Sequence, residues 1–138
     1  MTSAGDRFSV VEIGIGGYED IILARQRARV EAQRLGFNII DQTKIVTAVS
    51  ELARNIVVHA GSGVMRIGLA SPGPGLVFTF VDQGPGMADV PRALSKGYST
   101  SNSLGLGLGG AKALGDRLDI QSQPGRGASI TFTKYLPR

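Results

Sequence analysis

The 138-residue chain has no cysteine, no tryptophan and a single histidine, His59. Without cysteine there is no disulfide, no thiolate metal site and no cysteine nucleophile. One histidine cannot build a multi-histidine metal centre. No apolar run approaches the ~20 residues needed to cross a bilayer, so no membrane association is expected. The N-terminus has no apolar block of the kind a signal peptide carries, and the sequence predicts a cytoplasmic protein. Charge is sparse and mixed, with 15 Lys and Arg against 11 Asp and Glu. The basic residues are scattered and aromatics make up only 6%, so nucleic acid is not an expected partner. The length and the 42% hydrophobic content suit a single domain over residues 1–138.

Glycine, by contrast, is abundant. There are 20 glycines, about double the usual share. They cluster between structured segments, at 14–17, 61–63, 73–75, 84–86, 97, 105–110 and 125–127. That placement marks loops needing positive φ or close backbone approach.

The periodicity predicts a strand over 8–15 and a helix over 19–35 stopped by Gly36. A second helix, capped by Asp41, runs to about Ala60. Strands over 64–70 and 76–82 flank the turn Ser71-Pro-Gly-Pro-Gly75 as a hairpin. A short helix is expected after Asp89, with Pro91 in its first turn. Residues 96–104 read as irregular, a helix follows the 105–110 glycines, and strands over 118–122 and 128–136 close the chain. The order β-α-α-β-β-(α)-α-β-β predicts a two-layer α/β sandwich, its mostly antiparallel mixed sheet covered on one face by helices.

Four short segments carry chemistry. Glu51, Asn55 and His59 are spaced i, i+4, i+8 and share one helix face. Glu51 can take a proton from a hydroxyl, and Asn55 offers a hard carbonyl oxygen suited to Mg²⁺. Asp82-Gln-Gly-Pro-Gly86 follows an apolar strand. Its carboxylate only accepts hydrogen bonds, which favours adenine with its exocyclic amine over guanine. Gly105-Leu-Gly107-Leu-Gly109-Gly110 enters a helix, where backbone N–H groups and the helix end can gather phosphate. Gly125-Arg-Gly127 precedes the last strand. Singly these read equally well as a solvated helix face, a tight turn, a helix entry and a hairpin turn. The glycine run lacks the preceding strand of a Rossmann fingerprint, no Walker A Gly-Lys-Ser/Thr occurs, and neither H-R-D nor D-F-G is present.

Taken in order, the four segments resemble the GHKL (Bergerat) nucleotide-binding fold, over nearly the whole chain from Ile21 onward. That family includes gyrase-type ATPases, histidine-kinase catalytic domains and small anti-sigma-factor serine kinases. Ser50-Glu-Leu-Ala-Arg-Asn55, Asp82-Gln-Gly-Pro-Gly86 and Gly97-Tyr-Ser-Thr-Ser101 with Leu104-Gly-Leu-Gly107 look like the switch-protein kinases of the stressosome pathway. The resemblance implies a Mg-ATP-dependent serine/threonine kinase acting on a STAS-domain partner, with a PP2C-type phosphatase or a sigma factor as further partners. An anti-sigma or phosphatase-activating binding module, its nucleotide only setting conformation, is the alternative.

By the same resemblance, Glu51 is the general base and Asn55 binds Mg²⁺. Asp82 reads the adenine amine, with Gly84 and Gly86 passing the base. Lys96, Ser99, Thr100 and Ser101 belong to the lid, and Gly105, Leu106, Gly107, Leu108 and Gly109 wrap the phosphates. Arg54 reads as a phosphate or partner contact or a surface salt bridge, and His59 as a cap or packing residue. Two departures stand out. Asn102-Ser103 occupies a lid position where relatives often carry Gly-Gly. Ala128 stands where many place a Thr whose hydroxyl holds the adenine water, and Ser129 should face away. A histidine kinase needs a separate phospho-accepting His, and the sole histidine lies in the nucleotide helix. The partner's identity, the acceptor residue and the oligomeric state are not written in the sequence.

Overall fold

The computed structural model describes residues 11–84, 108–122 and 127–137. Strand β1 (Val11–Ile15) leads into helix α1 (Tyr18–Leu35), and helix α2 (Ile39–Asn55) continues as a π-helical turn, Ile56–Ala60. Strands β2 (Gly63–Leu69) and β3 (Gly75–Asp82) follow, then helix α3 (Leu108–Leu114) and strands β4 (Arg117–Ser122) and β5 (Ala128–Tyr135). The predicted short helix after Asp89 and the first residues of the predicted first strand lie outside the described residues.

The five strands form one sheet in the order β1-β2-β3-β5-β4, every pair antiparallel. Strand alternation sorts the side chains into two faces. Met65, Ile67, Leu76, Phe78, Phe80, Ile130 and Phe132 lie on one face and are buried beneath the helices. Phe78 and Phe132, cross-strand partners, meet as tilted rings 6.2 Å apart. The other face carries a cross-strand row of Glu12, Arg66, Thr79, Thr131 and Asp119. It is closed at its edges by the Arg66–Glu12 and Arg117–Asp119 ion pairs. The predicted two-layer architecture, helices on one face of an antiparallel sheet, is therefore the observed one.

The helix ends show why the chain turns where it does. Gly36 adopts the left-handed conformation (φ 104°), and its N–H and that of Phe37 both return to the Ala32 carbonyl. The second helix starts earlier than the sequence predicts. Asn38 is its cap, its side-chain oxygen accepting the Asp41 N–H at 2.8 Å. Asp41, the expected cap, instead sits in the first turn and pairs with Lys134 of β5 at 3.7 Å. Small residues line the buried side of α1, where Ala24, Ala28 and Ala32 let it lie close against the core.

Candidate functional site

Helix α2 changes its winding at the residue of most chemical interest. Up to Asn55 it is α-helical; beyond it, the Gly61 N–H reaches back five residues to the Ile56 carbonyl at 2.7 Å. Such a widened turn inserts one residue without breaking the helix. Asn55 stands at this junction, only 8% exposed, and Glu51, one turn earlier, is half-buried.

The far end of the π turn meets the Asp82 turn directly. Gly84 has no side chain because Ala60 occupies the space: a Cβ there would lie 2.6 Å from the Ala60 Cβ. Gly84 in turn donates its N–H to Asp82 Oδ1 at 2.8 Å, which fixes the carboxylate at the end of β3. Gly127, at φ 87°, closes the other side, and a Cβ there would run into the Asp82 carbonyl. Two glycines thus allow three backbone segments to converge on one carboxylate.

A cleft of about 260 Å³ opens at this end of the sheet, lined by Asp82, Ala128 and Ser122 of one cross-strand row, by Val81, Ser129 and Gln121 of the next, and by Gln83 and Gly127. The strand register sets its chemistry. Asp82 pairs with Ala128, and Ala128 pairs with Ser122, so the three lie in one row on the helix-covered face. Ser129 pairs with Val81 on the opposite face, as its neighbour relation predicts. Ser122 thus puts a hydroxyl in the same row as Asp82, beside the position where Ala128 has none.

Helix α3 packs against α2, with Leu108 and Ala111 in the core. The Leu108 side chain is buried in the core. Gly109 follows it within the same helix. Gly86, Lys96, Ser99, Thr100, Ser101, Gly105, Leu106 and Gly107 lie outside the described residues. Exposed Arg54 and half-buried His59 flank Asn55 on the same helix.

The donor set fits a nucleotide-borne cation better than a protein cage. Among the described residues no three His, Cys, Asp or Glu side chains converge on a metal site. The Asn55 amide, buried at the α/π junction, offers one neutral oxygen. That suits Mg²⁺, which is held by one or two protein ligands together with substrate phosphates. The sequence reading missed two members of this arrangement. Ser122 was legible, since the two last strands and their turn imply the pairing. Ala60 was not, because Ile-Val-Val-His-Ala is as compatible with an α turn as with a π turn.

Comparison with known proteins agrees with this geometry. Residues 40–138 match the model of the family described as histidine kinase-, DNA gyrase B-, and HSP90-like ATPase. The chain is 45% identical over 119 residues to the serine/threonine-protein kinase RsbT of Bacillus subtilis (strain 168), a match covering 85% of this chain and 90% of that one. It is 28% identical over 119 residues to the anti-sigma F factor of Thermoanaerobacter sp. (strain X514), covering 82% and 83%. Its fold is shared with the crystal structure of the RsbU and RsbW domains of Rv1364c from Mycobacterium tuberculosis (TM-score 0.67, 21% identity). That match takes in 94% of this chain and 33% of the larger one. No helix among the described residues is long and apolar enough to cross a membrane. A buried amide at a helix end, a carboxylate held by glycine turns and these likenesses converge on one assignment: the chain belongs to the histidine kinase-, DNA gyrase B- and HSP90-like ATPase family and, within it, to the anti-sigma-factor and switch-protein serine/threonine kinases.

Proposed function

We propose that this protein transfers the γ-phosphoryl group of ATP to a serine or threonine of a STAS-domain partner, with Mg²⁺ on the nucleotide. The observation that carries the reading is the seating of Ala60 on Gly84, which joins the helix bearing Glu51 and Asn55 to the turn bearing Asp82. In this reading Asp82 accepts the adenine amine and Gly127 lets the backbone close on the base. Asn55 supplies an oxygen to the cation, whose charge offsets that of the phosphates. Glu51 accepts the proton of the attacking hydroxyl as the new O–P bond forms and the bond to ADP breaks. The residues outside the described set, Lys96, Ser99, Thr100 and Ser101 with Gly105, Leu106 and Gly107, are proposed as the lid and phosphate loop, and Gly86 as part of the adenine turn.

Incubation with γ-labelled ATP and a candidate STAS protein, followed by mapping of the modified residue, tests the reaction. Glu51→Ala is expected to lose about 10²–10⁴ in transfer rate while still binding nucleotide. Full transfer by that variant removes Glu51 from the role. Stable capture of a sigma factor without transfer to any STAS protein would favour the binding-module reading.

A further inference from the structure

Helix α2 grades from inside to outside around its last turn. At about 100° per residue, Asn55 lies about 40° to one side of Glu51 and Arg54 about 60° to the other. Burial follows that order: Asn55 is 8% exposed, Glu51 half-buried and Arg54 exposed. Thr43, Lys44 and Thr47, also exposed, share the outward stripe with Arg54. Lys44 and Arg54 bracket Glu51 along it.

Other arginines are engaged within the protein. Arg27 and Arg34 hold Glu31, Arg66 holds Glu12, Arg117 holds Asp119, and Arg29 donates to Gln42. Arg54, by contrast, has no hydrogen-bond or ion-pair partner among the described residues, although Glu51 lies only three positions earlier. Its guanidinium, a rigid fork of five donors, is left for a second molecule.

The direction of attack says which molecule that is. In-line transfer sets the attacking hydroxyl opposite the leaving oxygen of ADP. Asn55 and the Asp82 turn mark the nucleotide side of Glu51, so the acceptor chain comes in on the other side, where Arg54 stands. The nucleotide phosphates are a poor partner for Arg54, which is turned about 100° away from Asn55. We infer, resting on the kinase reading above, that Arg54 is a specificity-determining residue: it selects acceptor segments with an aspartate or glutamate within two residues of the phosphorylated hydroxyl. Side chains at i and i+3 of a helix are about 5–6 Å apart, and an extended segment advances about 3.3 Å per residue. A carboxylate one or two positions from the hydroxyl therefore reaches the guanidinium while the hydroxyl stays on Glu51. A basic segment is rejected, because Lys44 and Arg54 both repel it.

The test uses the STAS protein and the acceptor residue mapped with labelled ATP, with initial rates taken at saturating ATP. In R54E the KM for that protein should rise about tenfold or more, with kcat little changed and ATP affinity by calorimetry at its native value. Arg54→Lys, which keeps the charge but not the fork, should fall between the two. Added salt should raise the KM of the native chain more steeply than that of R54E. Reversing the acidic residue nearest the acceptor to lysine should weaken transfer by the native chain and restore it on R54E. An acceptor with no Asp or Glu within two residues overturns the inference. So does a native KM in R54E, or a lysine-bearing partner that R54E does not recover. An ATP affinity that falls along with transfer overturns it too, and assigns Arg54 to the nucleotide. Absence of transfer by the native chain overturns the kinase reading itself, and the inference with it.

Discussion

Three side chains in one cross-strand row, Asp82, Ala128 and Ser122, stand where the adenine base is proposed to bind. Asp82→Asn keeps the shape but replaces an acceptor oxygen with a donor. ATP affinity measured by calorimetry should fall, and an unchanged value would contradict the assigned role. Ser122 occupies the row beside Ala128, and its hydroxyl donates to the Gly127 carbonyl at 3.4 Å, holding the turn beside the proposed base site. Ser122→Ala should then weaken ATP binding by roughly two- to tenfold, the worth of one hydrogen bond. If Ser122→Ala binds ATP normally, the hydroxyl has no such part. Away from the site, Glu31 is 1% exposed and held by Arg27 and Arg34, whose side chains are about half in water. Removing both arginines leaves a buried, unpaired carboxylate, and urea unfolding should register a loss of about 3–5 kcal/mol. Glu31→Ala should cost less, since the two arginines left behind can hydrate. Glu51, Asn55, Asp82 and Gly84 could be proposed from sequence because each carries one of two marks, the Glu-x-x-x-Asn spacing or the Asp-x-Gly turn. Ser122 has neither mark; the pairing of β4 with β5, which the turn between them implies, brings it into the row.

Elements begin and end where local chemistry dictates, with one exception that spacing could not reveal. Gly36 ends α1 and Asn38 opens α2 through standard side-chain and backbone bonds. Asn38→Ala should cost about 1 kcal/mol in urea unfolding by removing the acceptor for the Asp41 N–H. The sequence reading put the cap at Asp41 because an acid before an apolar run looks like one. Asn38 is the cap instead, and Asp41, inside the first turn, pairs with Lys134. The exception is the π turn, whose residues have the same apolar periodicity as the α-helix before it. Its signature is tertiary, in the contact of Ala60 with Gly84. Gly84→Ala should therefore lower both stability, by about 1–3 kcal/mol, and ATP affinity, as the Asp82 turn is pushed away. Gly68→Ala, on the open face of β2 with no atom within 4 Å of the added methyl, is the matched control and should change neither.

For the molecule as a whole, the order of elements and the short turns joining neighbouring strands were enough to predict a sheet covered on one side. Its strand order was not readable, because placing β5 between β3 and β4 depends on long-range pairing that no local pattern encodes. Phe132, opposite Phe78 at the centre of the covered face, ties the two halves of the sheet together. Phe132→Ala is expected to cost about 3–5 kcal/mol, read as a lower urea midpoint. The extra residue in Ile56–Ala60 acts at this scale too, as a spacer between the helical layer and the sheet. Deleting any one residue of that stretch leaves the chain two ways to close. Either the following strand slips by one position, exchanging the sides its residues present, or the helix tip rotates by roughly 100° away from its seat. A chain one residue shorter there would keep its motifs, yet lose the alignment between the helix bearing Glu51 and Asn55 and the strand ending at Asp82.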